Sequence, residues 1–320
     1  MKENNYVGID ISKQTIDVLV YPTGEVSDFT NDNIGIEKAV TWLQKITPTL
    51  IVMEATGGLE LPLYIAVEMA KFRIAVVNPR QIRDFAKATG RLAKTDKLDA
   101  GILAFYAATL KPEPRPFPEQ ALRELKARVV RRQQIVDMIS TEKNRLSSSQ
   151  DKITKTEIKA HIAWLKSQLE AVNKDITKRL NDNPVWQEKA KLLKSVPGVG
   201  PVLASTLIAQ LPELGQTNRC EAAALVGVAP MNHDSGSHKG QRSITGGRSR
   251  IRGPLYMGTL SAVRYNPVIR DFFHRLIADG KVTRVALIAC MRKLLSILNA
   301  MVKHNTYWKN TILIGEPVFA

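Results

Sequence analysis

Four prolines at alternating positions, Pro112, Pro114, Pro116 and Pro118, cannot continue a helix, because each fixes its own φ and lacks an N–H. They divide a chain of 320 residues into stretches of different character. Before them, residues 5–110 alternate strand and helix signals. YVGIDIS and TIDVLVYP read as strands, and a helix is predicted around 35–46, with Ile36, Ala39, Val40 and Leu43 at helical spacing. TLIVMEATG reads as a short buried strand closed by glycines, LELPLYIAVEMAKF as a helix and RIAVVNP as another strand. Helices are predicted over 79–88 and 96–110. Such alternation implies a sheet with helices on its faces.

Beyond the prolines a long helical stretch is predicted over about 119–181, ended by Asn183-Pro184. Its second half carries Ile158, Ile162, Leu165, Leu169, Val172 and Ile176, spaced 4-3-4-3-4 as in a heptad seam. An antiparallel hairpin within one chain and an oligomerisation arm both need that seam. The remainder reads as mostly helical, with a long apolar helix near 283–303. The expected divisions are an α/β domain over 1–111, a proline-marked linker and coiled-coil arm over 112–184, and a mainly α-helical domain over 185–320.

Lys and Arg number 46 against 30 Asp and Glu, a formal net charge of +16. With an isoelectric point near 9.8, the natural partner is a polyanion. No apolar run approaches the ~20 residues of a membrane span, and the N-terminus lacks the apolar stretch of a signal peptide, so no membrane partner is expected. Cys220 and Cys290 are far apart and suggest a reduced, cytoplasmic setting without a disulfide framework or a cysteine zinc site.

Against this positive background four acids stand at the ends of apolar runs. Asp10 lies within YVGIDIS, where the strand period places Gly8, Asp10 and Ser12 on one side and Val7, Ile9 and Ile11 on the other. Asp is disfavoured in strands, and Gly8 is expected to leave open space beside it. Glu54 ends the strand of LIVMEATG beside Ala55, Thr56 and Gly57. Asp96 and Asp99 of KTDKLDA share one face of a predicted helix. Asp96 competes with Thr95 for a capping role. Singly, each acid reads readily as a cap or a solvated residue, and Glu60 is assigned such an ordinary place near a helix start. As an ordered set, strand Asp, strand-end Glu and helical D-x-x-D follow the order of the RNase H-like nuclease fold. Crowded carboxylates raise one another's pKa unless a cation neutralises them. Mg²⁺ takes oxygen ligands, and a pair of such ions ~3.5–4 Å apart can hold the attacking and leaving oxygens of a phosphoryl displacement. The expected cofactor is therefore Mg²⁺, as two ions, with Mn²⁺ as a substitute.

Two features of the C-terminal part point to nucleic acid. KLLKSVPGVGPVLASTLIAQL has the form helix, V-P-G-V-G, helix, which resembles a helix-hairpin-helix motif. Gly198 and Gly200 are placed to offer backbone N–H groups to phosphate, or else simply make a tight turn. Between Asp234 and Asp271 no acid occurs, while Lys239, Arg242, Arg248, Arg250, Arg252, Arg264 and Arg270 do. Gly236, Gly240, Gly246 and Gly247 make the first part of that segment a flexible loop open to close backbone approach. Lys239, Arg242, Arg248, Arg250 and Arg252 are the expected phosphate contacts. Ser235, Ser237, Ser243, Thr245 and Ser249 supply hydroxyls, among which the residue types alone make no choice. His233 and His238 form no triad with them.

The order GIDIS, MEATGG, NP, KTDKLDA, helical arm, S-V-P-G-V-G, and G-V-A-P…D-S-G-S…I-T-G-G-R…L-Y resembles the DEDD transposases, the insertion-sequence recombinases related to the Piv/MooV DNA invertases and also known as bridge-RNA-guided recombinases. The likeness spans about residues 5–305. It implies an N-terminal RuvC-like domain whose metal-binding acids fall on Asp10, Glu54, Asp96 and Asp99. It also implies a C-terminal transposase domain with a nucleophilic serine matching Ser235, next to which stands Ser237. By that resemblance the serine forms a transient phosphoserine link to DNA, assisted by Mg²⁺. The protein would assemble as dimers and a tetramer in which the acids of one protomer meet the serine of another, and a structured RNA would choose donor and target DNA. The rival readings are a metal-dependent nuclease of the Holliday-junction type that hydrolyses with water, and an architectural DNA- or RNA-binding protein without catalysis.

Overall fold

The computed structural model describes residues 4–90, 96–114, 119–231 and 243–309, with the side chains of 96–98 outside the description. The chain forms two compact units, Met1–Pro118 and Glu119–Ala320.

In the first unit the elements run β1 (Tyr6–Ile11), β2 (Thr15–Tyr21), β3 (Val26–Thr30), α1 (Asn33–Ile46), β4 (Leu50–Glu54), α2 (Leu61–Met69), β5 (Ile74–Val77), α3 (Pro79–Ala88) and α4 (Asp96–Leu110). They build one five-stranded sheet in the order β3-β2-β1-β4-β5. β1, β2 and β3 form an antiparallel meander, and β4 and β5 extend it in parallel on the other side of β1. Alternation along the strands loads both faces. Val7, Ile9, Ile16, Val18, Ile51 and Met53 pack with Leu43 of α1 and Leu63 and Val67 of α2. On the opposite face Tyr6, Val52 and Val77 pack with Ile82 of α3 and Leu103 and Tyr106 of α4. Sheet and covering helices are as the alternation implied. β3, however, went unread: its side chains are half-buried or exposed throughout, so VSDFT carries no apolar alternation.

In the second unit the helical stretch expected over 119–181 consists of α5 (Gln120–Ser148) and α6 (Lys152–Asp182). The break is set by Asp151, whose carboxylate accepts from Thr154 N at 2.7 Å and caps α6. The two helices form an antiparallel hairpin and bury Leu125, Val129, Ile135 and Ile139 of α5 with Ile162, Leu165, Ile176 and Leu180 of α6. Most of the predicted seam is thereby used within the chain: Ile162, Leu165 and Ile176 are buried, Leu169 and Val172 pack half-buried against the Ile135–Ile139–Leu165 cluster, and Ile158 is half-buried.

α7 (Pro184–Lys194), α8 (Pro201–Gln210), α9 (Arg219–Val226), the two-residue strands β6 (Pro230–Met231) and β7 (Ser243–Ile244), α10 (Ser249–Tyr265), α11 (Pro267–Ala278) and α12 (Thr283–His304) complete the unit. Asparagines begin several helices: Asn183 accepts from Trp186 N, Asn218 forms a capping box with Glu221, and Asn266 accepts from Ile269 N. α12 is long and apolar enough to cross a membrane by length and composition, contrary to the sequence expectation. Its Leu294, Leu295 and Leu298 are fully buried with Leu193, Leu207 and Leu255, which is the packing of a core helix. Cys290 belongs to the same core, and burial pushes its thiol up to about 11, so it carries no thiolate chemistry near neutral pH.

Candidate functional site

The sheet brings two of the four predicted acids to one height. In the parallel β1–β4 ladder Gly8 faces Val52 and Ile9 faces Met53, so Asp10 and Glu54 follow on neighbouring strands, which lie ~4.8 Å apart in a sheet. Because the side-chain period is two, Asp10 shares the face of Gly8, and Glu54 that of Val52, the face covered by α4. Both acids are half-buried, and Asp10 Oδ1 also accepts from Ile11 N at 3.0 Å.

The third acid arrives through Gly8. A Cβ there would lie 2.1 Å from Ala100 O and 2.2 Å from Ala104 N. The space beside Gly8 is therefore not open, as the sequence suggested, but filled by the backbone of α4. Glycine lets that helix rest directly on β1, and Asp99, half-buried, immediately precedes the contact. Asp96 opens α4, and its side chain lies outside the described residues.

Sequence reasoning missed two acids on this face. Asp17 of β2 stands directly opposite Asp10, and Asp28 of β3 opposite Asp17, so three carboxylates cross three strands in a row. Like charges facing each other across a ladder are destabilising. Only the register reveals the row, since in TIDVLVY Asp17 is simply the polar member of an alternating strand.

Glu60 has a more specific place than a helix start. It makes no capping bond to α2. Its buried Oε2 accepts from Thr56 N at 3.2 Å, Thr56 Oγ1 at 2.8 Å and Gly58 N at 2.8 Å, tying down the loop that leaves Glu54. Glu60→Ala leaves these donors to compete for water and is expected to cost about 1–3 kcal/mol, read as a lowered melting temperature, whereas Glu60→Gln retains an acceptor and most of that stability. Equal melting of the alanine variant and the parent would remove Glu60 from this role.

The donor set suits a hard divalent cation, being carboxylate oxygen throughout. Among the described residues, no group of three or more His, Cys, Asp or Glu is gathered closely enough to hold a metal ion.

In the second unit, Ser235, Ser237, Lys239 and Arg242 lie outside the described residues, but both flanks of their segment are defined. Pro230 pairs with Ile244 and Met231 with Ser243, bringing the ends of 232–242 side by side. Gly227 and Gly247 pack backbone against backbone: a Cβ on Gly247 would lie 2.3 Å from Gly227 N. The close approach read into Gly247 is thus to its own chain, whereas Gly246 has open space.

The arginines of the flank divide by task. Arg248 grips Glu213 with both guanidinium ends and donates to Gln210 O at 2.8 Å. Arg252 donates to Gly246 O at 2.6 Å and to Val226 O at 3.3 Å. Arg248 thus commits both ends of its guanidinium to the segment's base, whereas both bonds of Arg252 run through Nη1 alone. The acid that the run 235–270 lacks comes from 35 residues upstream. Arg250 is exposed.

The V-P-G-V-G turn likewise faces two ways. A Cβ on Gly198 would lie 2.6 Å from Ala262 of α10, and φ of +101° there suits only glycine, so this residue serves packing. Gly200, at the N-cap of α8, is exposed with open space around it.

Known proteins resemble this chain over most of its length. Residues 7–154 match the DEDD transposase family of IS110 type, and residues 190–274 match the transposase IS116/IS110/IS902 family. The pilin gene-inverting proteins of Moraxella bovis and Moraxella lacunata are each 31% identical over 318 residues, covering 94% of this chain and 96% of theirs. An uncharacterized insertion element IS110 protein of Streptomyces coelicolor is 25% identical over 155 residues, covering 48% of this chain and 37% of its own.

Proposed function

The chain belongs to the IS116/IS110/IS902 transposase family and is a DNA transposase or recombinase; from that premise we propose that it cuts and rejoins DNA at specific sites through Ser235, with the acids of the first unit as its metal-binding partner. The observation that carries this reading is the equal height of Asp10 and Glu54 on parallel strands beneath α4, the helix bearing Asp96 and Asp99. We read the sheet order β3-β2-β1-β4-β5 as RNase H-like, with Asp10 on its central strand.

Mg²⁺ held by Asp10, Glu54, Asp96 and Asp99 would supply positive charge to the phosphate oxygens under attack. The chain's own residues do the rest. Ser235 Oγ bonds to the scissile phosphorus and displaces one deoxyribose oxygen, leaving the protein linked to DNA until a new strand end reverses the step. The β6–β7 ladder, the Gly227–Gly247 contact and the Arg248–Glu213 fork keep the two ends of the serine segment fixed. Lys239, Arg242, Arg250 and Arg252 are among the cations proposed for phosphate. A structured RNA guide and assembly as dimers and a tetramer belong to the same proposal and rest on the family resemblance; a net charge of +16 suits a protein holding several polyanions.

Trapping the protein–DNA linkage by denaturation during strand cleavage tests the mechanism. The parent protein is expected to give a covalent adduct that disappears with Ser235→Ala, with Asp10→Asn and on chelation of divalent cations. Normal DNA cleavage by Ser235→Ala, without any adduct, would instead establish hydrolysis by water at the acids.

A further inference from the structure

α10 contains two residues that weaken a helix, Gly253 and Pro254, side by side. Other glycines that touch α10 have internal reasons. A Cβ on Gly258 would lie 2.6 Å from Leu203 Cδ2, and one on Gly198 would strike Ala262. Gly253 is exposed, and apart from its chain neighbours Arg252 and Pro254 a Cβ there would meet nothing within 4 Å. Pro254 lacks the N–H that would bond the Arg250 carbonyl, so the helix is thinned and its backbone bared at the same turn.

The residues that share this line are Arg250, Gly253, Met257 and Arg264, separated by 3, 4 and 7 positions and therefore aligned along one side of the helix. Arg250, Met257 and Arg264 are exposed, and the buried side of α10, Ile251, Leu255, Thr259 and Ala262, faces the other way. α10 has no acidic residue, and neither Arg250 nor Arg264 enters an ion pair among the described residues. At 1.5 Å per residue the two arginines stand ~21 Å apart along the axis.

We propose that this face of α10 is a docking surface for duplex DNA, with Gly253 making room for the sugar–phosphate backbone to touch the helix and Arg250 and Arg264 binding phosphates on either side. Charge selects a polyanion. Duplex DNA is the occupant because α10 begins six residues after Ser243, the far flank of the serine segment, so DNA brought to Ser235 must pass near its start. The assignment thus rests on the serine reading above. Its test is equilibrium binding without cleavage, so failure of the serine chemistry leaves the test intact.

The full-length protein is titrated with random-sequence duplex DNA, and in a parallel arm with single-stranded RNA of equal length, while melting is followed separately. Gly253→Ala sits on an exposed helical face, where the helix propensity gained and the crowding of its Cβ against Pro254 oppose each other, so it is expected to melt close to the parent's temperature, yet to bind duplex several-fold more weakly, and Gly253→Leu more weakly still. Loss of affinity without loss of stability is the outcome a merely structural glycine does not give. Arg264→Ala, a surface change that leaves the fold standing, is expected to flatten the slope of log affinity against log salt by about 0.9. Duplex affinity unchanged in Gly253→Leu, an unchanged salt slope in Arg264→Ala, or losses confined to the RNA arm would each overturn the proposal.

Discussion

Gly8→Val is expected to unfold the first unit at temperatures where the parent protein is native, and to remove recombination with it. The new Cβ would fall 2.1 Å from Ala100 O and 2.2 Å from Ala104 N, both backbone atoms of α4, so no side chain can swing aside. The helix must lift from β1 or the strand must leave the sheet. Overpacking of a core ordinarily costs about 1–3 kcal/mol, and a collision of backbone with two branches of valine belongs at or above the top of that range. The functional loss has a geometric origin as well. Lifting α4 separates Asp99 from Asp10 even in molecules that remain folded, so Gly8→Ala, the milder variant, should lose activity out of proportion to its stability. Thermal melting and strand-cleavage assays on both variants check this. Melting of Gly8→Val at the parent's temperature would show that α4 does not rest on β1.

The same glycine illustrates what could be read before the fold was known. Period-two alternation assigned Asp10 to the side of Gly8, and that placement depends only on strand geometry. Whether the space beside Gly8 is empty or occupied depends on α4, about ninety residues later, which no local pattern contains. The acids were legible as a set because each sits at the edge of an apolar run. Asp17 and Asp28 were not, since they join the row only through the β1–β2–β3 register. β3 itself escaped notice because an edge strand with no buried side chain has no hydrophobic signature. In the arm, the run of serines before Asp151 marks the turn between α5 and α6, while the heptad spacing of 158–176 alone fits a hairpin and an oligomerisation arm equally. Arg248 shows the limit of counting charge along a segment. The stretch has no acid of its own, yet Glu213 reaches this arginine from another part of the fold and takes it away from any polyanion. Charge density in sequence names a neighbourhood, and tertiary pairing decides which of its arginines are already engaged.

Mixing two inactive variants is expected to restore covalent DNA adduct. Asp10→Asn and Ser235→Ala each abolish it alone, because one lacks a carboxylate of the acidic site and the other the nucleophile. Suppose the acids of one protomer serve the serine of its partner. A mixed dimer then contains one site damaged twice and one wholly intact, made from Asp10 of the Ser235→Ala chain and Ser235 of the Asp10→Asn chain. Subunits combined at random in equal amounts give mixed dimers about half the time, each with one working site of two, so adduct should recover to about a quarter of the parent level. If each chain completes its own site, every serine in the mixture that can react faces a damaged acid set, and recovery is nil. The two units of this chain are separate compact bodies, each with its own core, so neither arrangement requires refolding of either unit. Co-expression of the variants rather than mixing of finished oligomers ensures that subunits combine. A double variant carrying both changes in one chain, co-expressed with the parent, separates the two arrangements independently: a mixed dimer then has no intact site if sites form between chains and one if they form within a chain, so adduct falls to about a quarter or to about a half of the parent level. Absence of adduct in the mixture, with about half the parent level in that control, would assign the acids and Ser235 to the same chain.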